Sequence, residues 1–352
     1  MSKRTKFDPR NDELLNTFYS IYLSETNSRL PHYIPRNTIE PGIKMVFVNG
    51  RYHGLLPSTG PDYNGHPGLF NQAFINALCL GAKKVVIIMS AKYEGYDTSY
   101  PIEPEVKKEF IQEWIEILKE RLPHNIIEKL KHVGAIREEE EVSFHVFLTD
   151  KIENILTIVK PMGSGNPLLL PIWHDEMRES NLTPDETLMI TGLEEKGGEK
   201  YNKYSTTFSG AKFILLARDE ELNNISGTKI RKTVMDDDYS AIAKWLINSN
   251  MTDNRILLLV GKIIHSINHS QQTDSQEETY RLAEHVGLEE FLRLNSEIKN
   301  LETETLKSSD SSSFLGGSKR NKTKRNKTKR NKTKRNKTKR NKTKRNKTKR
   351  KY

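Results

Sequence analysis

The chain has almost no cysteine and no long apolar run. A single cysteine, Cys79, among 352 residues excludes an intrachain disulfide and favours a reducing compartment. No apolar stretch approaches the ~18 residues of a membrane-spanning helix, and the first residues, MSKRTKFDPRNDE, lack the apolar segment of a signal peptide. We therefore expect a soluble, cytoplasmic protein that is not secreted and has no membrane partner.

Acidic residues are absent from residues 319–352, which consist of six KRNKT repeats and a final KRKY. This tail carries 21 positive charges, so the overall net charge of +11 conceals a net charge of −10 on residues 1–318. A tail without apolar residues before Tyr352 cannot bury a core, so we expect disorder and electrostatic contact with nucleic acid. A solubility tag or a nuclear-import signal is an equal alternative. The repeats resemble the basic tails on proteins of giant DNA viruses.

A strand, loop, helix and strand follow one another near the start of the chain. The apolar run IKMVFV, residues 43–48, enters a glycine-containing loop that ends at Gly65 and His66. Pro67 opens an amphipathic helix, and VVIIM, residues 85–89, reads as a second buried strand. This order predicts a βαβ crossover, whose loop lies at the carboxyl ends of parallel strands. Because the helix points its N-terminus at the same place, we expect an anion-binding pocket there.

His66 is the first candidate residue of that pocket. Proline is well tolerated as the first residue of a helix, so Pro67 places His66 at the N-cap. An apolar stripe at three- and four-residue spacing follows: Leu69, Phe70, Ala73, Phe74, Ala77 and Leu80. His66 is then expected where free backbone N–H groups favour a phosphate. The alternative is a histidine that only caps the helix.

A second candidate segment is NISGTKIRK, residues 224–232. It follows KFILLA, residues 212–217, which reads as another buried strand. Ser226 is a good N-cap, and Thr228, Arg231 and Lys232 share one face of the predicted helix. Hydroxyls, free N–H groups and basic side chains at a helix start suit a polyphosphate. A capped surface helix with ordinary basic residues is the alternative.

These two segments resemble the signatures of the α/β nucleotidylyltransferase superfamily. ISGTKIR, residues 225–231, is similar to I-S-x-T-x-I-R, and YNGH, residues 63–66, occupies the place of H-x-G-H. NGRY, residues 49–52, resembles the G-R-F that follows the first strand in archaeal-type nicotinamide-nucleotide adenylyltransferases. Residues 65–91 resemble the helix and second strand of the same enzymes, and the motifs come in the family's order.

The resemblance implies a three-layer, doubly wound parallel sheet of the Rossmann-like kind, which the alternation of predicted strands and helices also supports. It further implies an enzyme that transfers a nucleotidyl group, most like an adenylyl group from ATP to nicotinamide mononucleotide, with Mg²⁺ and release of pyrophosphate. The partners would be a nucleoside triphosphate and a phosphate-bearing acceptor, and no residue is assigned as a metal ligand. By the same resemblance, the catalytic residues would be His66 and Arg231, and the nucleotide-binding residues Gly50, Arg51, Tyr63, Gly65, Ser226, Gly227, Thr228 and Lys229.

The sequence departs from the family pattern in the first motif. Tyr63 replaces the first histidine, and the loop between Gly50 and His66 is several residues longer than in the family. A tyrosine is neutral at pH 7, so it stabilises negative charge less well than a protonated histidine. A cytidylyltransferase, another adenylyltransferase, and an inactive nucleotide-binding protein that holds nucleic acid through its tail stay open as alternatives.

The remaining segments define the expected domain organisation. Residues 1–40 are predicted to be a helical N-terminal extension, residues 41–250 the nucleotidylyltransferase-like domain, and residues 251–305 a helical cap. A Ser/Gly-rich linker, residues 306–318, leads to the tail. Within the main domain, residues 105–122 read as a helix and SFHVFL, residues 143–148, as a strand. The resemblance to nucleotidylyltransferases implies that the loop after the second strand lies near the substrates, so Lys92, Tyr93 and Thr98 are expected to contact them.

Overall fold

Five parallel strands form the centre of the molecule. The structure is a computed structural model that describes residues 9–25, 42–57, 65–95, 98, 100–162, 169–192, 206–216, 227–268 and 274–287. The strands are β1 (Met45–Gly50), β2 (Lys84–Ser90), β3 (Leu156–Met162), β4 (Thr187–Gly192) and β5 (Lys212–Leu216). Their spatial order is β3-β2-β1-β4-β5, and every neighbouring pair is parallel. The chain thus winds outward from β1 in both directions, as in a doubly wound fold.

Helices cover both faces of this sheet. The described helices, in chain order, are α1 (Pro9–Glu25), α2 (Gly65–Leu80), α3 (Pro104–His132), α4 (Glu138–Glu153), α5 (Leu169–Glu179), α6 (Gly227–Met235), α7 (Tyr239–Asn248), α8 (Asn254–Asn268) and α9 (Ser275–Val286). A short 3₁₀ turn, Pro184–Glu186, precedes β4. None of the described helices combines the length and apolar character needed to span a membrane.

Side chains alternate between two cores along each strand. Val46 and Val48 of β1 point into a large core that they share with most of the helices, whereas Met45 and Phe47 point to the opposite face. There, Trp173 and neighbouring residues of α5 form a smaller core. Because successive side chains of a strand face opposite sides of the sheet, this split defines three layers. The predicted three-layer, doubly wound parallel sheet is confirmed.

The segment predicted as a strand at residues 143–148 is helical. It lies within α4, where Phe144, Leu148 and Ile152 are buried at four-residue spacing. Four glutamates occupy the first turn, and the Glu140 carboxylate accepts a 3.0 Å hydrogen bond from the Arg137 backbone N–H. Negative charge near a helix N-terminus is favourable, and a four-residue apolar period fits a helix and not a strand. The strand prediction at 143–148 was therefore wrong.

Two further elements differ from the sequence-based expectation. Helix α3 continues past Leu122 to His132 with Pro123 inside it, and it keeps Ile126, Ile127 and Leu130 buried. Burial of that extra apolar stripe offsets the hydrogen bond that an internal proline removes. Strand β3 was not predicted, and it pairs only with β2 at one edge of the sheet.

The first and last described helices belong to the large core. Leu14, Leu15 and Phe18 of α1 are buried, and Tyr19 donates a hydrogen bond of 2.8 Å to Asn76 of α2. Helices α7, α8 and α9 contribute to the same core, with Leu282 of α9 fully buried. Of the predicted regions at the carboxyl end, the linker at 306–318 and the tail at 319–352 lie outside the described residues.

Between α7 and α9 lies a buried acid. The Tyr239 hydroxyl donates to Oε2 of Glu278, which has no exposed surface. Burial, opposed by Arg281 and assisted by Asp237, raises the pKa of Glu278 from 4.5 to about 7. This carboxyl is therefore protonated over part of the neutral range.

Candidate phosphate-binding site

The described residues of the predicted site lie at the carboxyl edge of the sheet. Strands β1 and β2 end at Gly50 and Ser90, and helix α2 begins after the loop that follows β1. Helix α6 stands in the same relation to β5. In a parallel sheet the helices that follow the strands start at one common edge, which is where ligands of doubly wound folds bind. The topology therefore gathers two helix N-termini and two strand ends at one place.

Helix α2 carries His66 in its first turn. The helix begins at Gly65, one residue before the predicted cap, and Gly65 has a φ of 66°. A residue with a side chain rarely adopts that conformation, so glycine fits this helix start. The His66 ring is half-buried and meets the Tyr52 ring edge-on, with 5.1 Å between centroids. Contact with an aromatic ring thus fixes the orientation of His66.

The chain turns sharply where β1 ends. Tyr52 is fully buried although its φ is 52°, in the left-handed region that non-glycine residues seldom occupy. Its ring packs on Phe70 of α2 as well as on His66. Arg51, next to it, is exposed, and its guanidinium carbon lies 5.8 Å from the centre of the Tyr100 ring. The turn therefore buries the Tyr52 ring and leaves the Arg51 guanidinium at the surface.

The Tyr100 ring is a platform that two cationic side chains, Arg51 and Lys92, approach. Lys92 Nζ lies 4.3 Å from the centre of its ring, within range for a cation–π interaction. Thr98 positions the platform, since its hydroxyl donates to the Gly95 carbonyl and accepts from the Tyr100 N–H. Of the residues expected near the substrates after β2, Lys92 and Thr98 therefore contact or build this platform, and Tyr93 lies at the surface.

A buried lysine–histidine pair lies beneath this surface. Lys107 of α3 has no exposed surface and places Nζ 2.8 Å from Nε2 of His53. It also donates a 2.7 Å hydrogen bond to the carbonyl of Ser90, the last residue of β2. The His53 ring, 1% exposed, meets the Tyr100 ring edge-on at 5.1 Å. Lysine is almost never fully buried without such partners.

Neither member of this pair was singled out in the sequence. Lys107 does leave a signal, because it lies three, four and seven residues before Phe110, Ile111 and Trp114 and so falls on the apolar stripe of α3. A basic residue on a buried stripe indicates an internal polar contact. His53 leaves no comparable signal, since it lies in an irregular segment between β1 and α2.

Helix α6 contributes Arg231 from its first turns. Its guanidinium is 8% exposed and donates from Nη2 to the Thr228 hydroxyl at 3.2 Å, one turn earlier. Ile230 and Val234 are buried on the other face, as the spacing predicts. Thr228 and Lys229 are exposed at the helix start, after Gly227 as the first helical residue. The predicted residues Tyr63 and Ser226 lie outside the described part of the chain.

Electrostatics connect the two distant segments. Burial, together with the charges of Lys107, Arg231, His66 and Arg51, lowers the pKa of His53 to about 2. Burial likewise lowers the pKa of Arg231, with Arg51 acting in the same direction. His66 of α2 and Arg231 of α6 therefore both lie close enough to influence one buried imidazole.

The same surroundings act on Lys107. Burial lowers its pKa to about 7, so the Lys107 amine is protonated in about half of the molecules near neutral pH. Among the described residues of this cluster, the one acid is Glu94, which pairs with Lys92. A group of cations without matching carboxylates attracts an anion, and a phosphate supplies both the charge and the acceptor oxygens.

The described residues do not form a protein-based metal site. No group of three or more His, Cys, Asp or Glu side chains among them is placed to hold a metal ion. Mg²⁺ prefers carboxylates together with substrate phosphates, and the cationic cluster offers no free carboxylate within the described chain. Trp173 and Asp175, next to His174, have structural contacts, with Thr187 and Arg178 respectively.

No protein-family model matches the sequence, and no curated protein matches it. The likeness to nucleotidylyltransferases therefore stays an expectation from the two sequence motifs, and the helices that carry their described residues, α2 and α6, begin at the same edge of the sheet.

Proposed function

We propose that this protein transfers a nucleotidyl group, most similar to an adenylyl group, from a nucleoside triphosphate to a phosphate-bearing acceptor. The observation that carries the proposal is the convergence of His66 and Arg231 on His53, although their helices are far apart in the sequence. Added support comes from the two helix N-termini at the same sheet edge and from the surplus of cations there. Archaeal-type nicotinamide-nucleotide adenylyltransferases are the proposed functional analogues, with nicotinamide mononucleotide as the first acceptor to test.

The proposed chemistry is an in-line displacement at the α-phosphorus of the triphosphate. A phosphate oxygen of the acceptor forms the new P–O bond as the bond to the β-bridging oxygen breaks, and pyrophosphate leaves with that electron pair. No covalent intermediate with the enzyme is required, so positioning and charge stabilisation supply the rate enhancement. His66 would donate to an α- or β-phosphate oxygen. Thr228 and Arg231, with Ser226, would hold the β- and γ-phosphates, and Lys229 would assist from the surface.

No group of three or more metal-ligating side chains lies among the described residues, so the proposal routes no step through a protein-bound metal. Gly65 would serve by allowing close approach of backbone to ligand, Gly50 by leaving room for the Tyr52 ring, and Arg51 by adding charge beside Tyr100. A bound Mg²⁺ would spread the charge of the triphosphate to which it is coordinated. In this proposal the protein orients the substrates, and the metal ion would be bound by the triphosphate.

A second candidate function comes from the tail and belongs to another class. Its 21 positive charges within residues 319–352 favour nucleic-acid binding, with counterion release as the driving force. In that case the α/β domain would bind a nucleotide without turning it over. Tyr63 in place of the family's first histidine favours this alternative.

Pyrophosphate release separates the two candidates. We would assay the full chain and a version ending at residue 318 with each of the four ribonucleoside triphosphates, against a panel of mononucleotide and sugar-phosphate acceptors. Turnover by both versions, lost in His66→Ala, is the expected result. The nucleic-acid alternative would instead be supported if no acceptor gives pyrophosphate release and if the full chain binds DNA with an affinity that falls steeply with salt.

A further inference from the structure

His53 is buried at the candidate site and one of its ring nitrogens is unused. Nε2 faces Lys107 Nζ at 2.8 Å, whereas Nδ1 is buried and has no hydrogen-bond partner among the described residues. The side chain is only 1% exposed. Leaving a buried polar group unpaired costs about 1–3 kcal/mol, so such a group usually has a partner that completes it.

Lys107 determines which nitrogen of His53 carries the proton. In its ammonium form, which prevails below pH 7, Lys107 has three N–H donors and no acceptor, so Nε2 of His53 accepts. The proton of the neutral imidazole is then on Nδ1, which becomes a donor. Lys107 is itself fixed by its second hydrogen bond, 2.7 Å long, to the Ser90 carbonyl. The edge-on contact with Tyr100 holds the ring from another side.

The charged groups that lower the pKa of His53 are all positive. The residues concerned come from three helices and the turn after β1: Lys107, Arg231, His66 and Arg51. Arg231 donates to the Thr228 hydroxyl and has no carboxylate partner within the described chain. The unpaired Nδ1–H of His53 is thus surrounded by other hydrogen-bond donors. A ligand with several acceptor oxygens and negative charge would bind all of them.

We propose that His53 is a further ligand-binding residue of this site, whose Nδ1–H donates to a phosphate oxygen of the bound triphosphate. Lys107 is its positioning residue, since it fixes the tautomer and the ring without touching the ligand. This inference rests on the proposed function for the identity of the ligand as a triphosphate. Burial keeps His53 neutral, so its Nδ1–H does not require an imidazolium; it requires the ammonium form of Lys107, and the hydrogen bond is therefore favoured below pH 7 and weakens as pH rises through 7.

Two substitutions separate a ligand role from a merely structural one. In His53→Asn the side-chain N–H can occupy the place of Nδ1–H, whereas the Lys107 partner is lost. In His53→Gln the side chain still reaches Lys107, whereas no donor replaces Nδ1–H. The probe is inorganic triphosphate, titrated calorimetrically into the full chain at pH 6, where Lys107 is mostly in its ammonium form. We expect His53→Gln to weaken binding about 10-fold and His53→Asn to stay within about three-fold of the unmodified chain.

The tautomer can be observed directly. In the full chain labelled with ¹⁵N-histidine, the signal absent from the His53 variants should show a neutral ring protonated at Nδ1, and it should shift when triphosphate is added. Lys107→Met should remove the tautomer preference. Stronger binding by His53→Gln than by His53→Asn, or a His53 signal that triphosphate leaves unchanged, would overturn the inference.

The outcomes also distinguish this inference from the proposed function. A chain that binds triphosphate through His53 but releases no pyrophosphate on any acceptor supports the inference and contradicts nucleotidyl transfer. Turnover that His53→Gln leaves unaltered, with unaltered triphosphate affinity, contradicts the inference alone. A full chain that does not bind triphosphate at all contradicts both.

Discussion

The Tyr52 ring lies directly over Gly50, two residues earlier in the chain. A β-carbon on residue 50 would come 2.6 Å from the nearest ring atom, a distance that real contacts do not reach. The same ring supports His66 and Phe70. The turn at the end of β1, and with it the orientation of His66, therefore depends on the absence of a side chain at position 50.

Gly50→Ala is expected to displace the Tyr52 ring and lower the free energy of unfolding by about 1–3 kcal/mol. Urea denaturation measures this change, and triphosphate titration measures the accompanying loss of affinity. Gly42→Ala is the matched control, because nothing lies within 4 Å of a β-carbon placed there. Equal stability of the two variants would show that the Tyr52 ring moves aside without cost.

His66→Ala is expected to lower turnover about 100- to 1000-fold, or about 3–4 kcal/mol, because its hydrogen bond strengthens as charge develops on the transferring phosphate. The KM for ATP should change far less. Steady-state pyrophosphate release gives both constants. His124→Ala, at an exposed position of α3, is the control. Losses of similar size in turnover and in ATP affinity would place His66 in ground-state binding only.

Arg231→Ala is expected to weaken triphosphate binding about 10- to 100-fold, because a charged hydrogen bond to a phosphate contributes about 1.5–3 kcal/mol. Calorimetric titration checks this. The control is Lys232→Ala, which removes an exposed positive charge from the same helix. If the two variants bind triphosphate equally well, Arg231 is not part of the site.

Glu278→Gln is expected to gain stability relative to the unmodified chain as the pH rises. The pKa of Glu278 is about 7 in the folded protein and 4.5 as its ordinary value, so between these values the unfolded chain releases a proton that the folded chain keeps. The contribution of Glu278 to the stability of the unmodified chain is fully present below pH 4.5, and it is lost as pH rises through 7. The difference amounts to about 1.4 kcal/mol per pH unit and about 3 kcal/mol in all.

Urea denaturation at pH 5, 6, 7 and 8 measures that trend. Glu277→Gln is the control on the same helix, where the carboxylate pairs with Arg281 at the surface and no buried group is removed. A stability difference between Glu278→Gln and the unmodified chain that stays constant from pH 5 to pH 8 would contradict a buried, protonated carboxyl.

The central elements of the fold could be predicted because their local signals agree with their final environment. Strands β1, β2, β4 and β5 are short apolar runs, and α2 has a proline near its start and an apolar stripe. Edge strand β3 lacks such a signal, since none of its side chains is fully buried and Lys160 and Pro161 interrupt it. Helix α4 was missed because Phe144, Val146 and Leu148 alternate like a strand, whereas Val146 is in fact exposed.

The candidate site divides in the same way. His66 and Arg231 belong to contiguous motifs, so they could be named from the sequence. His53 and Lys107 could not be paired, because their contact depends on how α3 crosses the end of β1, and only the folded chain brings the two side chains together. Long-range polar pairs of this kind leave little trace in local spacing.

Helix α1 leaves the ribosome before any of its partners has been synthesised. Tyr19 bonds to Asn76, and Arg10 reaches Glu140 of α4 with a 2.9 Å ion pair. At about 5–20 residues per second, translation completes α4 about 6–26 s after α1. For that interval the nascent chain presents the apolar side chains of Leu14, Leu15 and Phe18 uncovered, so the yield of native protein should depend on chaperone supply and elongation speed.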